Sequence, residues 1–485
     1  MGAGYILKWF PERTNQLSQT GTTSGSADLL LPPLQGRGKR GALERELRDA
    51  IRSGRLKPGA PLPSTRDLAA RIGSSRRLVV EAYSQLSAEG YLVARRGSGT
   101  RVAGVGAGER RGPPPGRDRR AQARPPRYDL FPGSPDLALF PRRDWGRALR
   151  AALLDAPPAQ LGYPPPAGLE PLREALAEHL GRVRGALAGP GDVLVTSGYV
   201  QGLRLVAEVL RERGVTRVAV EDPGFHVAWG VLGAAGVETV PVPVDEDGIV
   251  AGRLAATGAG AALVTPAHQF PLGVVLSASR RAELVEWARA AGALVIEDDY
   301  DAEIRHEREP VGSLQGLAPD VVTQLGTVSK TLAPGLRIGW MVGPAEIVDA
   351  VAARKLLHDM GTAALGQLAL AGMLRSGAFD RHVRACTIRY RAKREALLSG
   401  LAEHLPSARV RGIAAGLHAV VAIPEIGRVG PLLAAAERRG VRAYPVMRHD
   451  WRSADGLLVL GYAGLGEGEL RQAAGLLGEA VAETA

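Results

Sequence analysis

Hydrophobic positions along this chain change their period between its first quarter and the remainder. In LERELRDAI the apolar residues Leu43, Leu47 and Ile51 fall at i, i+4 and i+8, on one face of a helix whose other faces are charged. Gly54 stops that helix. Residues 65–72 (TRDLAARI) and 76–89 (RRLVVEAYSQLSAE) predict two more, separated by Gly73-Ser74-Ser75, with Ser64 and Ser75 placed to cap them. GYLVARRGSGTRV then predicts two short strands around Gly97-Ser98-Gly99, where glycine supplies the positive φ of a tight turn. Leu68, Ile72, Leu78, Val79, Ala82, Leu86 and Leu92 are the predicted core of this unit, over residues 36–103.

Residues 104–127 hold almost no bulky apolar side chain and many prolines and arginines, which predicts an extended linker. Residues 1–35, with one apolar run (Leu29-Leu30-Leu31) cut off by Pro32-Pro33, predict a disordered tail. From residue 128 to 485 the pattern becomes apolar strands alternating with amphipathic helices: DVLVTSG, TRVAVEDPG, AALVTPA, ALVIEDD, VVTQLG and RIGWMVG, with helical stretches such as RRAELVEWARAA. This predicts a largely parallel sheet covered on both faces, with function gathered at the carboxyl ends of its strands.

Charge sharpens that division. The chain carries a formal net charge of +11, but residues 36–127 hold 22 Lys and Arg against 8 Asp and Glu, a surplus of 14, and residues 128–485 hold 37 against 40. A compact basic unit beside a near-neutral body is the footprint of polyanion binding, because cations that neutralise phosphates release counterions. A solvated basic surface without a partner has the same composition. The single Cys386 excludes intrachain disulfides and cysteine-rich zinc sites and fits a reducing compartment such as the cytoplasm. No apolar run is long enough to predict a membrane span.

Within the basic unit, Ser75, Arg76 and Arg77 stand at the start of the third predicted helix, where a recognition helix presents side chains to base edges in the major groove. Arg66 opens the preceding helix. Arg95, Arg96 and Gly97 lie in the hairpin, suited to phosphate and minor-groove contacts. Over residues 38–103, including LKPGAPLPSTRDLA and EGYLVARRGSGT, the segment resembles the GntR-type winged helix-turn-helix, a small α+β fold, which implies double-stranded DNA as a partner. A helical adaptor that binds protein is the competing reading.

In the larger part, Ser197-Gly198-Tyr199 ends a strand and opens a helix, and such a turn offers free backbone N–H groups to a phosphate. Many strand-to-helix turns hold glycine for steric reasons alone. Phe225, in EDPGFHVAW, could stack on an aromatic cofactor or simply pack. ALVIEDDYDAE carries five carboxylates in seven residues, Glu297, Asp298, Asp299, Asp301 and Glu303. These suit a hard divalent cation, or one of them suits a protonated ring nitrogen. About thirty residues later, QLGTVSKTLAPGLRIGW sets Lys330 in a Ser/Thr-rich turn with Arg337 seven residues on. A Schiff-base lysine beside a phosphate requires such surroundings and a metal site does not.

Over about residues 128–485 the chain resembles fold-type I PLP enzymes, the aminotransferase superfamily. The resemblance implies an α/β fold and pyridoxal 5′-phosphate (PLP) as cofactor. Lys330 then forms the Schiff base, Asp298 meets the ring nitrogen, Tyr300 the ring hydroxyl and Phe225 the ring face. Ser197, Gly198, Tyr199, Thr327, Ser329 and Arg337 surround the phosphate.

Together the two parts resemble the MocR-type transcriptional regulators, on the stretches TPAHQFPLGVVLS, IEDDYDAEIR, GTVSKTLAPGLRIGW and FDRHVRACTIRYRAKR. This implies a DNA-binding regulator that senses a small amine, an amino acid or PLP itself, and a homodimer. Two departures from aminotransferases stand out. Their Asn-Pro-x-Gly is Phe270-Pro271-Leu272-Gly273 here, and their Arg-x-x-Phe, which supplies the arginine for a substrate carboxylate, is Val459-Leu460-Gly461-Tyr462. Efficient transamination is disfavoured, although an active aminotransferase with an accessory DNA-binding head, or a PLP carrier that binds DNA incidentally, remain competing readings. Arg448, in VRAYPVMRHDW, is the candidate for an effector carboxylate, with a solvated surface arginine as the plain alternative. Gly36 to Gly41 matches G-x-G-x-x-G but lacks a preceding strand.

Overall fold

The computed structural model describes residues 38–95, 99–104, 126–306 and 311–484. The chain divides into two compact units, Met1–Pro125 and Pro126–Ala485. The expected tail and nearly all of the expected linker lie outside the described residues.

In the first unit, α1 (Lys39–Arg52) buries Leu43, Leu47 and Ile51, the three positions selected by its period. Asp67 N and Leu78 N donate to the side chains of Ser64 and Ser75, which cap α2 (Thr65–Arg71) and α3 (Arg76–Ala88). Such a cap contributes about 1 kcal/mol. Strands β1 (Leu92–Arg95) and β2 (Gly99–Val102) pair antiparallel, from Leu92↔Val102 to Arg95↔Gly99. Val79, Ala82 and Leu86 of α3 join Leu68, Ile72 and Leu92 in one core with the α1 face, and Leu78 packs half-buried at its edge. Arg48 of α1 holds Glu89 at 2.8 Å and Arg52 reaches the Tyr91 hydroxyl at 2.9 Å, tying α1 to the turn between α3 and β1.

The second unit opens with β3 (Tyr128–Asp129), α4 (Arg142–Asp155) and α5 (Glu170–Arg184). An eight-stranded sheet follows, made of β4 (Val193–Thr196), β5 (Arg217–Asp222), β6 (Glu238–Asp245), β7 (Gly248–Ile249), β8 (Ala261–Val264), β9 (Leu294–Asp299), β10 (Val322–Thr327) and β11 (Gly339–Val342). Its order is β4-β11-β10-β9-β8-β5-β6-β7. Between the strands lie α6 (Tyr199–Glu212), α7 (His226–Ala234), α8 (Ala278–Ala291) and α9 (Leu314–Leu317). Every residue of β4, β8, β10 and β11 is buried, as expected where helices cover both faces of a sheet.

Two features differ from the sequence expectation. RIGWMVG forms β11, but it runs antiparallel to both β10 and β4. The segment 328–338 contains no α-helix, and a parallel return needs a longer crossover than that. Lys330 therefore sits in a tight return between two sheet strands. β6 (ETVPVPVD) is a strand that the sequence pattern did not pick out, and its prolines at 241 and 243 suit a place away from the sheet centre. It lies beyond β5, mostly exposed or half-buried, with only the short β7 outside it.

Past β11, α10 (Ala345–Asp359), α11 (Ala364–Arg375) and the 27-residue α12 (Ala378–His404) lead to the last layer. There β12 (Arg409–Arg411), β13 (His418–Ala422), β15 (Tyr444–Met447) and β16 (Ser453–Gly461) form an antiparallel sheet in the order β12-β13-β16-β15. The remaining elements are α13 (Val429–Arg438), which precedes β14 (Val441–Arg442), and α14 (Glu467–Thr484). Leu397, Leu432, Leu458 and Leu477 meet in the core of this layer, and β14 pairs in parallel with β3. Among the described residues no helix is long and apolar enough to cross a membrane.

Candidate functional site

The carboxyl ends of β4, β5, β9 and β10 point the same way and border a cavity of about 230 Å³. Tyr199, Phe225, Asp298, Tyr300, Thr327, Ser329, Lys330 and Arg337 all line it, although they are spread over 139 positions of sequence. Gly198 and Ser197 stand directly behind Arg337.

One end of the cavity has the chemistry of an anion site. Gly198, at φ +92, caps α6, whose first backbone N–H groups have no helical partner. A Cβ at Gly198 would lie 2.7 Å from Arg337 Nη2, so only glycine allows this approach. Arg337 donates to Ser197 O at 2.6 Å, and the hydroxyls of Thr327 and Ser329 lie 2.8 Å apart. A helix N-terminus, two hydroxyls and a guanidinium thus meet.

Lys330 Nζ donates to Gly133 O at 2.6 Å. Burial pulls its ammonium below the ordinary lysine value, against the attraction of Asp301 and Asp298, which favours the neutral, nucleophilic amine. The carboxylates around β9 separate by role. Side chains alternate along a strand, so Glu297 and Asp299 share one face and Asp298 takes the other. Glu297 accepts from Leu314 N and Gln315 N, each at 3.0 Å, and Asp299 pairs with Arg184 at 2.9 Å. Asp301 lies 3.0 Å from His268 Nδ1, and Glu303 lies 3.3 Å from His179 Nε2. Asp298 alone of the five lines the cavity, and its Oδ1 is buried without a hydrogen-bond partner. The neighbouring Tyr199 hydroxyl is buried as well, near enough to interact with the Asp298 carboxyl but without good hydrogen-bond geometry to it. Among the described residues no group of three or more His, Cys, Asp or Glu is arranged to hold a metal.

Burial pushes the Asp298 carboxyl up to about 8, only partly opposed by the Tyr199 hydroxyl, while Asp299, Glu221 and Asp301 raise it further. The folded chain therefore binds this proton more tightly than the unfolded chain. The stability contribution is complete below about pH 4 and is lost as pH rises through about 8. Asp298→Asn is expected to gain in melting temperature relative to the unaltered chain as pH goes from about 6 to 9. A difference that stays flat across that range would contradict the placement of Asp298.

The opposite wall is apolar. Phe270 packs edge-on to Phe225 at 5.7 Å and to Tyr300 at 6.3 Å between ring centroids. Behind it Val459 joins Val420 and Val446, and the Tyr462 hydroxyl donates to Gly416 O at 2.7 Å. Where aminotransferases carry an asparagine and an arginine, this chain places a phenylalanine and a valine. Arg448 does not line the cavity; its Nη2 faces Asp222 at 3.6 Å and its side chain is half exposed. Sequence reasoning missed Gly133 and Phe270 in the lining, and the His268 ring that reaches the Tyr300 hydroxyl at 3.1 Å. The TPAHQFPLG stretch contained the signal for two of them.

In the first unit Arg66, Arg76 and Arg77 are exposed. Arg77, with 90% of its side chain accessible, pairs with Glu81 at 2.9 Å, and Arg76 Nε reaches Thr65 Oγ1 at 3.4 Å. The Ser75 oxygen is engaged as the α3 cap. Arg95 ends β1, and Arg96 and Gly97 lie outside the described residues.

Comparison with known proteins matches residues 39–102 to the family "Bacterial regulatory proteins, gntR family" and residues 138–423 to "Aminotransferase class I and II". The chain is 35% identical over 450 residues to the HTH-type pyridoxine biosynthesis transcriptional regulator PdxR of Corynebacterium glutamicum, covering 90% of this chain and 95% of that one. It is 31% identical over 451 residues to the probable rhizopine catabolism regulatory protein MocR of Rhizobium meliloti, covering 89% and 91%. Among solved structures, an archaeal alanine:glyoxylate aminotransferase superposes with a TM-score of 0.68 at 27% identity, over 74% of this chain and 91% of that one.

Proposed function

We propose a function from one premise: the chain belongs to the MocR-type HTH transcriptional regulators, in which a GntR-family DNA-binding region precedes an aminotransferase class I and II domain. It is a DNA-binding transcriptional regulator, and its larger unit has the fold of PLP-dependent aminotransferases. The proposal is that this unit holds PLP and reports PLP, a small amine or an amino acid to the DNA-binding unit.

Asp298 carries the reading. A buried carboxyl oxygen without a partner is unfavourable unless a ligand donor meets it, and a protonated ring nitrogen is such a donor. The anion end fits a phosphate, Phe225 offers a ring face, Tyr300 a hydroxyl and Lys330 an amine on the same cavity. When bound, PLP supplies an electrophilic aldehyde carbon that captures amines. The chain's own residues bind and orient. Lys330 holds the aldehyde end, Asp298 the ring nitrogen, and the start of α6 with Arg337 the phosphate. The apolar wall of Phe270 and Val459 offers no cation to a substrate carboxylate, which favours a sensor over an efficient transaminase. The test is an incubation of the PLP-loaded chain with amines, amino acids and a 2-oxo acid. The expected result is a change in visible absorption without sustained product formation. Continued turnover would make the chain an enzyme instead.

A homodimer belongs to the same reading, with one DNA-binding unit per body and repeated half-sites on DNA. It is supported by an apolar surface that one chain leaves open. Leu153, Leu154 and Leu161 are exposed, with Tyr163 at 84% and Leu357 at 85%. The segments that carry Tyr163 and Leu357 lie side by side, since a Cβ at Gly361 would stand 2.7 Å from Pro164. An apolar patch of this kind marks an interaction surface. Sedimentation at micromolar concentration is expected to give a dimer, and a monomer would contradict this arrangement.

A further inference from the structure

The turn that starts α6 is held from behind by residues that do not line the cavity. Ser197 has both backbone polar groups engaged. Its N–H donates to Gln201 Oε1 at 2.7 Å, and its carbonyl accepts from Arg337 Nη2 at 2.6 Å. The Gln201 amide is itself oriented, because its Nε2 donates to Asp359 Oδ2 at 2.6 Å. Only one end of that amide is then free to meet Ser197. Asp359 ends α10 and accepts from Lys355 Nζ, at 2.8 Å to each oxygen, and from Gly361 N at 2.9 Å.

Lys355 is the unusual member. Its side chain is 0% exposed, on a helix whose other buried positions are Ile347, Val348 and Val351. A buried ammonium is strongly unfavourable without a partner, and a hydrophobic residue would pack there at no such cost. What the lysine contributes is a fixed carboxylate at Asp359, which fixes the Gln201 amide, which fixes the Ser197 peptide. The chain of contacts joins positions 158 residues apart and ends at the anion site.

We infer that Lys355, Asp359 and Gln201 are positioning residues that present the start of α6 to a phosphate monoester, so that the site selects the phosphorylated aldehyde over its unphosphorylated form. This rests on the PLP reading of the cavity. Arg337 supplies charge at the mouth and the buried trio supplies orientation. The same contacts would also clip α6 to α10 in a purely structural role, which affects both ligand forms alike.

The two roles separate when the full-length chain binds PLP and pyridoxal in parallel, with melting temperature recorded for each variant. Gln201→Leu is expected to weaken PLP by about tenfold or more while pyridoxal changes by less than about twofold, because misplacing a binding group by a fraction of an ångström penalises only the group it serves. Asp359→Asn keeps the shape, loses the charge that holds Lys355, and is expected to shift PLP in the same direction by less. It replaces Gln201→Leu if that variant does not fold. Equal losses for the two ligands, or unchanged PLP affinity, would overturn the inference. An unaltered chain that binds neither ligand would overturn the PLP reading beneath it, and this inference with it.

Discussion

Replacing Lys330 by alanine is expected to abolish covalent capture of PLP altogether. The second unit contains three lysines, and the other two are committed elsewhere. Lys355 is fully buried against Asp359, and Lys393 donates to Asp136 at 2.6 Å and to Ala463 O at 2.7 Å. Neither lines the cavity. Of the three, Lys330 alone brings its amine into the cavity with Asp298, and burial lowers its pKa. The unaltered chain, mixed with PLP and reduced with borohydride, should gain one cofactor mass on the peptide containing Lys330. Lys330→Ala should gain none, while its phosphate end still binds inorganic phosphate. Cofactor mass on another lysine, or a visible band retained by the variant, would contradict the assignment.

The second large effect concerns DNA. Arg76 and Arg77 occupy the first two positions of α3, both exposed, and what holds them is weak: a 3.4 Å contact to Thr65 and an exposed i, i+4 pair with Glu81. They are free to exchange those partners for base edges. A bidentate arginine–guanine contact discriminates by about 1–3 kcal/mol, so losing both should lower the preference for the operator over random DNA by about 30-fold to 10⁴-fold. Non-specific binding should persist on the remaining basic surface. The unit should melt unchanged, because neither side chain enters its core. An Arg76→Ala, Arg77→Ala variant that keeps full preference for the chain's own upstream DNA would remove α3 from the recognition role.

What could be read in advance follows from the range of the interactions involved. The faces of α1 to α3 were legible because a 3.6-residue period is local, and so were the caps at Ser64 and Ser75. Most sheet strands were legible as apolar runs, and so was their mainly parallel direction. The antiparallel β11 was not, since it turns back through the shortness of the segment before it. Lys330 and Arg337 could be found because they share a short motif of unusual composition, whereas Asp298 was one of five clustered carboxylates and was singled out by the resemblance to PLP enzymes. Gly133 could not, as it reaches Lys330 across 197 positions. The Lys355–Asp359–Gln201 trio was hidden for another reason. In KLLHD the lysine and aspartate look like a solvated pair at helical spacing, and only packing shows that the Lys355 side chain is fully buried. Arg448 illustrates the converse: a lone arginine in a suggestive stretch carried no sign of its partner Asp222.

Whether a PLP-binding body governs the DNA-binding unit is tested most directly by the affinity of the full-length chain for its own upstream DNA, measured with and without PLP. Coupling between two sites of one protein is typically about 1–3 kcal/mol, so PLP should change Kd by about 5-fold to 150-fold. By reciprocity the DNA should change PLP affinity by the same factor. Lys330→Ala should bind the same DNA with a Kd that no longer responds to PLP. An unaltered chain with identical Kd in the absence and presence of saturating PLP would contradict the coupling, whatever the cofactor's fit to its cavity.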